Sequence, residues 1–287
     1  MNLSANEKAE ILIEALPYIK EFYGRLVVIK YGGAAMADCH LKKKVMQDIV
    51  LMKYVGMNPV VVHGGGPKIN QMLERLNIET SFINGLRVTD RETMEIVEMV
   101  LGGTVNKEIV TGIHEAGGKA IGISGKDAGL IRAVPVEPGG RMGFTGEVEV
   151  INPEIIYTVI KRGYIPVIAP IGIDADYQSY NINADSVAAA IAIAMEADKL
   201  VLLTDVPGLL RDPEDSSSLI SVLRCSDIPG YVEQGIISGG MVPKVRCCQQ
   251  AVQEGVKRTH IIDGRDPHSI LLEIFTDEGV GTMVVDE

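Results

Sequence analysis

Short apolar segments alternate with helical segments from Arg25 onward, and this alternation constrains the fold more than any other feature of the sequence. Near-continuous runs of Val and Ile are typical of strands that are buried on both faces of a sheet. Alternation of such strands with amphipathic helices favours a mainly parallel sheet covered by helices on both sides. The sequence therefore predicts an α/β fold.

The pattern also places the individual elements. Strands are expected at residues 26–30, 59–63, 119–124, 130–136, 143–150, 164–169, 199–203, 258–262 and 282–285. Helices are expected at residues 41–55, 67–76, 91–114, 184–195, 227–234, 242–254 and 267–275. The two strands around EPGGRMG form a hairpin, which is either a lid or an extension of the sheet edge. No linker rich in Pro, Gly or Ser divides the chain, so one continuous sheet with two lobes is expected.

The first 23 residues form a separate helical segment. Ser4 and Glu7 match a capping box, and apolar residues follow at helical spacing. Pro17 removes one helical N–H donor, which predicts a kink. Two interpretations stay open: the helix folds back on its own domain, or it docks on another subunit.

Composition argues against several classes of function. A net charge of −11 without a Lys/Arg-rich run argues against nucleic acid or an anionic membrane as a partner. The longest apolar run, residues 187–195, is about half of the ~20 residues that cross a bilayer, and the charged N-terminus lacks the apolar core of a secretory signal. We therefore expect a cytoplasmic protein. The four cysteines lack CxxC spacing, which predicts neither a disulfide framework nor a zinc site.

The segment VVVHGGGPKI places three glycines between a strand and a helix that begins near Pro67. Such a turn exposes amide N–H groups at the positive end of a helix dipole, which suits an anion. The glycines could equally serve only a tight turn. Neither the Walker A pattern nor GxGxxG is present.

Two further glycine turns each have a lysine nearby. In VIKYGG, Lys30 precedes Gly32 and Gly33, and in SGGMVPKV, Gly240 precedes Lys244. Ligands of α/β sheets bind at the carboxyl ends of strands, which is where Lys30 is expected, although an edge lysine that reaches solvent is the alternative. Three such turns with two lysines nearby indicate an anion site more specifically than any one turn does.

Polar residues in three other segments complete the pattern. Arg87, in NGLRVTD, suits a carboxylate or phosphate, and a surface ion pair with Asp90 or Glu92 is the alternative. In YNINAD, the side chains of residues 181, 183 and 185 would share one side of an extended segment, and Asp185 could also cap the helix that follows. LLTDVPGLL ends a strand with an aspartate and a Pro-Gly turn, suited to a nucleotide or simply to turning the chain.

Taken together, these motifs resemble those of the N-acetyl-L-glutamate kinases, in the amino acid kinase superfamily. The resemblance covers nearly the whole chain and lies, in order, in IKYGG, VVHGGGPKI, NGLRVTD, GISGKDAGLI, GFTGEV, YNINAD, LLTDVPGLL and GGMVPKV. It implies an open three-layer α/β/α sandwich, with an N-acetyl-L-glutamate-binding lobe at residues 24–198 and an ATP-binding lobe at residues 199–287. It also implies ATP-dependent phosphorylation of the γ-carboxylate of N-acetyl-L-glutamate to N-acetyl-L-glutamyl 5-phosphate, the second step of arginine biosynthesis.

The resemblance implies a role for each site residue. Lys30 and Lys244 are expected to stabilise the transferring phosphoryl group, and Asp185 to organise the two lysines. Substrate contacts are expected from Gly65, Gly66, Arg87, Asn181 and Asn183, and phosphate or nucleotide contacts from Gly32, Gly33, Asp205, Gly208 and Gly240. No protein ligand for Mg²⁺ is expected, because this ion is often held mainly by phosphates and water. Ala34 departs from the arginine-sensitive branch, which often has asparagine there.

General chemistry agrees with these roles. A γ-carboxylate with a pKa near ~4.3 is already ionised at neutral pH, so no general base is needed. The difficulty lies in bringing two anions together, which lysines, backbone amides and Mg²⁺ can overcome.

Arginine-inhibited members of the family carry a kinked N-terminal helix that links dimers into a hexamer, together with a carboxyl-terminal signature that HSILLEIFTDEGVGT resembles. The resemblance implies an L-arginine effector site formed by Lys20, His268, Glu273 and Gly279, although His268 and Glu273 could be ordinary surface residues. Two alternatives are kept for the function: a kinase similar to glutamate 5-kinase, and a small-molecule sensor without catalytic activity.

Overall fold

The computed structural model describes residues 4–36, 38–276 and 279–287, and of Ala34 it describes only the backbone. The strands are β1 (Leu26–Tyr31), β2 (Asn58–His63), β3 (Phe82–Ile83), β4 (Leu86–Arg87), β5 (Ala120–Ser124), β6 (Ile131–Pro135), β7 (Thr145–Ile151), β8 (Ile165–Ala169), β9 (Ile171–Ile173), β10 (Ser179–Ile182), β11 (Lys199–Thr204), β12 (Val222–Arg224), β13 (Arg258–Asp263) and β14 (Thr282–Val285). The α-helices are α1 (Ala5–Glu14), α2 (Leu16–Phe22), α3 (Cys39–Tyr54), α4 (Gly66–Arg75), α5 (Arg91–Glu98), α6 (Asn106–Glu115), α7 (Glu154–Lys161), α8 (Ala184–Ala194), α9 (Ile228–Glu233), α10 (Met241–Gln253) and α11 (Ser269–Phe275).

The main sheet has the strand order β12-β14-β13-β11-β1-β2-β8-β5. Each neighbouring pair is parallel except β13 and β14, which are antiparallel. The predicted mainly parallel sheet is therefore confirmed. It is also continuous, because β1 pairs with β2 on one side and with β11 on the other. The boundaries of the two lobes remain a prediction.

Helices cover both faces of this sheet. Alternate residues of β1 belong to different cores: Val27 and Ile29 lie in one apolar cluster, and Val28 lies in the other. Helices α3, α4, α5, α6 and α11 contribute to the first cluster, and α7, α8, α9 and α10 contribute to the second. The protein is thus a three-layer α/β/α sandwich, as expected.

The predicted hairpin is formed by β6 and β7, which pair antiparallel with a register shift between Arg132 and Ala133. Together with β9 and β10 they close a small barrel beside the main sheet. Sequence analysis did not predict β9, β12, α7 or the short β3–β4 hairpin, and it considered β10 only as a segment that could be extended. For that hairpin a signal existed, since Asn84 and Gly85 both have positive φ, as an Asn-Gly hairpin turn requires.

The predicted helix over 91–114 is continuous but changes its winding. A π-helical segment, Met99–Val105, joins α5 to α6. This segment contains Gly102 and Gly103, which are poor helix formers. Leu101 and Val105 from the segment pack beside Gly65 at the start of α4, so the change in winding lies next to a predicted ligand turn.

The N-terminal segment confirms the capping box: the Ser4 hydroxyl accepts from the Glu7 N–H, and the Glu7 carboxylate accepts from the Ser4 N–H. Helix α1 ends at Glu14 and α2 begins at Leu16 with Pro17 in its first turn, where a break was expected. Phe22 anchors α2 in the core, and its ring lies 4.6 Å from the Lys199 ammonium. Helix α1 buries no residue, and its Leu12 is 70% exposed. Across the described residues, we find no helix with both the length and the apolar character that a membrane span requires.

We expect the core under α4 to be sensitive to truncation. Leu73 is fully buried, and Leu73→Ala should lower the free energy of unfolding by about 2–5 kcal/mol, because it removes apolar contacts and leaves a cavity. Leu76, at the end of the same helix, is 49% exposed and supplies the matched control. Leu76→Ala should cost less than about 1 kcal/mol in urea unfolding. Equal losses in the two variants would contradict this packing.

Candidate active site

Two lysines from distant parts of the chain meet at one carboxylate. Lys30 lies near the carboxyl end of β1, and its Nζ is 3.0 Å from Asp185 Oδ1. Lys244 lies in the first turns of α10, and its Nζ donates to Asp185 Oδ2 at 2.8 Å. Asp185 itself lies in the first turn of α8. The predicted juxtaposition of the two ammonium groups is present, and the alternative of a solvent-reaching edge lysine fails because Lys30 is 8% exposed.

The charges in this cluster do not cancel. Burial alone raises the pKa of Asp185, but the ammonium groups of Lys30 and Lys244 more than offset that effect, so the net pKa lies below its usual range. The carboxylate is therefore ionised at neutral pH. Two cations and one anion leave one uncompensated positive charge in a largely desolvated place, which favours an anionic ligand.

The first glycine turn lies directly against this cluster. A Cβ on Gly32 would stand 2.7 Å from Lys30 Nζ, so a bare backbone is what lets the lysine fold back toward Asp185. Gly33 has a φ of +64° and is in contact with the Asp205 carboxylate at the end of β11. The predicted nucleotide residue thus lies beside the predicted phosphate turn. The side chain of Ala34, where the sequence departs from the family pattern, lies outside the described part.

The second glycine turn lies beside the first, because β1 and β2 are neighbours. Gly64 lies near Gly32, since a Cβ on Gly64 would stand 3.9 Å from the Gly32 Cα. Gly65 is the N-cap of α4, and no side chain caps this helix. A Cβ on Gly66 would meet no atom within 4 Å. The turn therefore places an uncapped helix N-terminus at open space next to the lysine cluster, as an anion site requires.

Two other predicted glycines have different environments. Gly240 is the N-cap of α10, and space beside it is open. Gly208 has a φ of +144°, and a Cβ there would stand 2.7 Å from the Thr282 hydroxyl. Gly208 is thus needed to turn the chain against β14, and a contact with nucleotide stays a prediction.

Arg87 is buried and is held by neutral groups. Its guanidinium donates to Thr80 Oγ1 and Asn70 Oδ1, both at 2.5 Å, and lies 4.7 Å from the centre of the Phe82 ring. Burial lowers its pKa. In the described ranges Arg87 belongs to no ion pair, so the alternative of a surface ion pair with Asp90 or Glu92 is wrong. Asp90 instead caps α5 by accepting from the Thr93 N–H.

Asn181 is connected to Arg87 through buried threonines. Its Nδ2 donates to Thr89 Oγ1 at 3.2 Å, and the hydroxyls of Thr89 and Thr145 both donate to the Arg87 carbonyl. The small barrel thus fixes the arginine and the asparagine relative to each other. The sequence reading missed both threonines, since neither stands in a pattern that distinguishes it from an ordinary strand residue.

Asn183, and not Asp185, is the N-cap of α8. Its Oδ1 accepts from the N–H groups of Asp185 and Ser186 at 2.8 and 3.2 Å. The interpretation of Asp185 as the helix cap is therefore wrong, because its carboxylate is taken by the two lysines. A substrate contact of Asn183 stays a prediction, and its oxygen already has a structural role.

The predicted effector residues gather around α11. His268, at the N-cap of that helix, pairs with buried Asp48 of α3 at 2.5 Å, and burial raises the pKa of Asp48. Glu273 accepts from the Val280 N–H at 2.9 Å and lies beside Gly279 and His260. Its side chain is 8% exposed, so it is not an ordinary surface residue. Lys20 is exposed on α2, which packs against α11.

Sequence analysis also did not predict the buried pair of His63 and Asn106, which lies behind the second glycine turn. His63, the last residue of β2, is fully buried and bonds through Nδ1 to the Gly64 carbonyl at 2.8 Å. Its Nε2 lies 3.2 Å from Nδ2 of Asn106, in the first turn of α6. Burial lowers the pKa of His63 to about 4. Sequence alone shows a histidine at a strand end and an asparagine inside a long helix, and only tertiary packing joins them.

Comparison with known proteins identifies the family of the chain. Residues 25–263 match the model of the amino acid kinase family. The chain belongs to this family. It is 74% identical over its full length to a protein from Syntrophomonas wolfei named acetylglutamate kinase, covering all of both chains. It is 62% identical to an acetylglutamate kinase from Moorella thermoacetica, covering 99% of each.

A solved structure supports the fold. N-acetylglutamate synthase from Neisseria gonorrhoeae, complexed with coenzyme A and N-acetyl-glutamate, superposes with a TM-score of 0.86 at 23% identity. The alignment covers 97% of this chain and 63% of that one. At this identity the likeness concerns the fold.

The buried histidine predicts a pH dependence of stability. The unfolded chain titrates this histidine near ~6.5, whereas the folded state keeps it neutral down to about pH 4. Between these values the unfolded state binds a proton at this histidine that the folded state does not, so the contribution of His63 to the free energy of unfolding falls as the pH falls through that window. His63→Gln removes the titrating group and should flatten this part of the profile in urea unfolding.

The exposed His40 supplies the control, and His40→Gln should keep the profile of the unsubstituted protein. If His63→Gln kept it as well, another group would account for the window.

Proposed function

We propose that this protein is an acetylglutamate kinase that transfers the γ-phosphoryl group of ATP to the γ-carboxylate of N-acetyl-L-glutamate. The observation that carries the proposal is the cluster of Lys30, Asp185 and Lys244 beside two glycine turns. A carboxylate oxygen forms a bond to the γ-phosphorus while the bond to the bridging oxygen of ADP breaks. ADP leaves with that electron pair, and N-acetyl-L-glutamyl 5-phosphate is formed.

Phosphoryl transfer to a carboxylate needs compensation of negative charge more than it needs proton transfer. The attacking carboxylate, with a pKa near ~4.3, is already an anion, so a base adds nothing. Phosphoryl transfer depends on in-line positioning and on stabilising the oxygens of the group in flight. Lys30 and Lys244 supply the positive charge, and Asp185 holds their ammonium groups close together.

The α-carboxylate of the substrate has a matching partner. Arg87 presents a buried guanidinium whose protein partners are a hydroxyl and an amide oxygen. A carboxylate is the group that best compensates a guanidinium in such surroundings. Asn181 is linked through Thr89 to the Arg87 carbonyl, which supports its assignment to another polar group of the same substrate.

The nucleotide is the second substrate, in the form of MgATP. The residues around the lysine cluster supply cations and amides, and among the described side chains no group of three or more His, Cys, Asp or Glu could hold a metal ion. We therefore place Mg²⁺ on the phosphates, where it offsets their charge. Gly33 and Asp205 lie at the junction of β1 and β11 and mark the entrance proposed for the nucleotide.

Each lysine is expected to be needed for turnover. Lys30→Ala and Lys244→Ala should each reduce kcat by about 10²- to 10³-fold, because each removes one electrostatic donor to the transferring group. The matched control is Lys257→Ala, an exposed lysine that pairs with Asp198 away from the cluster, and it should keep normal turnover. Acyl phosphate trapped with hydroxylamine reports the reaction directly.

Normal turnover in either variant would remove that lysine from the mechanism. The same assay with glutamate in place of N-acetyl-L-glutamate distinguishes the glutamate 5-kinase alternative, which would phosphorylate only the unacetylated acid. Lack of acyl phosphate with any acid would favour a sensor.

Feedback inhibition by L-arginine and a hexameric assembly are the regulatory part of the proposal. Lys20, His268, Glu273 and Gly279 are the effector residues, and they gather around α11 and α2. Helix α1, with no buried residue of its own, presents Ile11, Leu12 and Ile13 to solvent. An apolar helix of this kind is suited to pack against the same helix of another dimer.

Deletion of residues 1–20 is expected to give dimers with weakened inhibition by L-arginine, because the linking helix and Lys20 are both removed. Leu12→Glu separates the two effects, since it charges the exposed face and leaves Lys20 in place. Sedimentation velocity reports the assembly, and inhibition curves report the effector site. A truncated protein that still sediments as a hexamer would refute the role of the helix.

A further inference from the structure

The second glycine turn presents its amides in one direction, and the groups that fix this direction are buried behind it. His63 directly precedes the turn, and its ring lies inside the protein. The Gly64 N–H is already used, since it donates to the Tyr31 carbonyl at 2.8 Å. The orientation of the next peptide, between Gly64 and Gly65, therefore depends on what the Gly64 carbonyl bonds to.

That carbonyl bonds to His63. A carbonyl oxygen can only accept, so Nδ1 of the ring carries the proton and donates at 2.8 Å. Since no cis peptide occurs among the described residues, the Gly65 N–H points opposite to the Gly64 carbonyl. A carbonyl held toward the buried ring thus turns the Gly65 N–H away from that ring.

Asn106 fixes the tautomer of the ring. The Lys107 ammonium donates to Asn106 Oδ1 at 3.1 Å, so the oxygen faces the lysine and Nδ2 faces the other way. Nδ2 donates to the Val167 carbonyl at 2.9 Å and to the Ile123 carbonyl at 3.3 Å, and it lies 3.2 Å from His63 Nε2. A proton on Nε2 would point at this N–H₂ group, so Nε2 stays unprotonated, in agreement with the proton that Nδ1 donates to the Gly64 carbonyl. Burial lowers the pKa of the ring, so protonation, which would set two donors against each other, is disfavoured.

We propose that His63 and Asn106 are positioning residues for phosphoryl transfer: they lock the peptide between Gly64 and Gly65 so that its N–H faces the transferring group. This inference rests on the role proposed above for the second glycine turn. Neither residue touches a reactant, and each acts through the backbone. The preorganised amide stabilises charge without having to reorient during the reaction.

Two substitutions at position 63 separate the two hydrogen bonds of the ring. In His63→Asn, the amide nitrogen can occupy the place of Nδ1 and donate to the Gly64 carbonyl. In His63→Gln, the amide reaches the place of Nε2 and keeps only the contact with Asn106. We expect His63→Gln to lose about 10²-fold in kcat with little change in KM, because the lost interaction exists mainly in the transition state. His63→Asn should retain most of kcat, even if both variants lose similar stability.

Asn106→Asp tests the tautomer without changing volume. A carboxylate can only accept, so it requires a proton on Nε2; burial and the Lys107 ammonium beside the carboxylate keep the ring neutral, which leaves an unprotonated Nδ1 against the Gly64 carbonyl. The expected result is the same loss of kcat as in His63→Gln. Nitrogen NMR of the ring in the full-length protein should show protonated Nδ1 in the unsubstituted protein and protonated Nε2 in Asn106→Asp.

Several outcomes would overturn the inference: equal kcat in the Asn and Gln variants, full activity of Asn106→Asp, or a ring of the unsubstituted protein that is charged or protonated at Nε2 near neutral pH. The NMR result decides the matter even if the substitutions at position 63 prevent folding.

Gly66→Ala tests the underlying role of the turn. A Cβ there meets no protein atom within 4 Å but would enter the space of the phosphoryl group. Normal turnover of Gly66→Ala would refute the role of the turn, whereas impaired turnover together with matching Asn and Gln variants would refute only the role of His63.

Discussion

A carboxylate shared by two ammonium groups is the interaction on which the rest of the site depends. Lys30 comes from the central strand of the sheet, Asp185 from a helix on one face, and Lys244 from a second helix on that face. Without Asp185 the two ammonium groups would repel each other, and without them the buried carboxylate would be driven to protonate. The contact between α8 and α10 therefore determines where the two ammonium groups lie. Their excess positive charge favours an anionic ligand.

Bare backbone is the second requirement, and it follows from the first. A Cβ on Gly32 would crowd the Lys30 ammonium where it meets Asp185, and the close approach of Gly64 to Gly32 brings a helix N-terminus to the same edge. Parallel strands make this possible, because β1 and β2 end together. Under the proposed function, bare backbone at Gly32 and Gly64 leaves room for one phosphoryl group beside the lysine cluster.

The sequence predicted the main sheet and its helices because their apolar runs are long and continuous. It also indicated Lys30 and Lys244, since each stands beside a glycine turn. The sequence did not predict β9 and β12, because each strand has only three residues. It also did not distinguish Asn183 from Asp185, because both residue types cap helices well and they stand two positions apart. Only packing shows that one caps the helix and the other binds the lysines.

The pair of His63 and Asn106 shows why residues that hold a glycine turn in place cannot be predicted from the local sequence. The pair and its partners come from β2, α6, β5 and β8, and the donor or acceptor role of each group follows from that of its neighbour. Lysine donates to the asparagine oxygen, the asparagine nitrogen donates to the ring, and the ring donates to the carbonyl. At each contact only one of the two groups can donate. The hydrogen bonds therefore all run in one direction, from the lysine to the Gly64 carbonyl. A buried and neutral histidine thereby holds a peptide group in a fixed orientation, a role for which neither its charge nor its basicity is required.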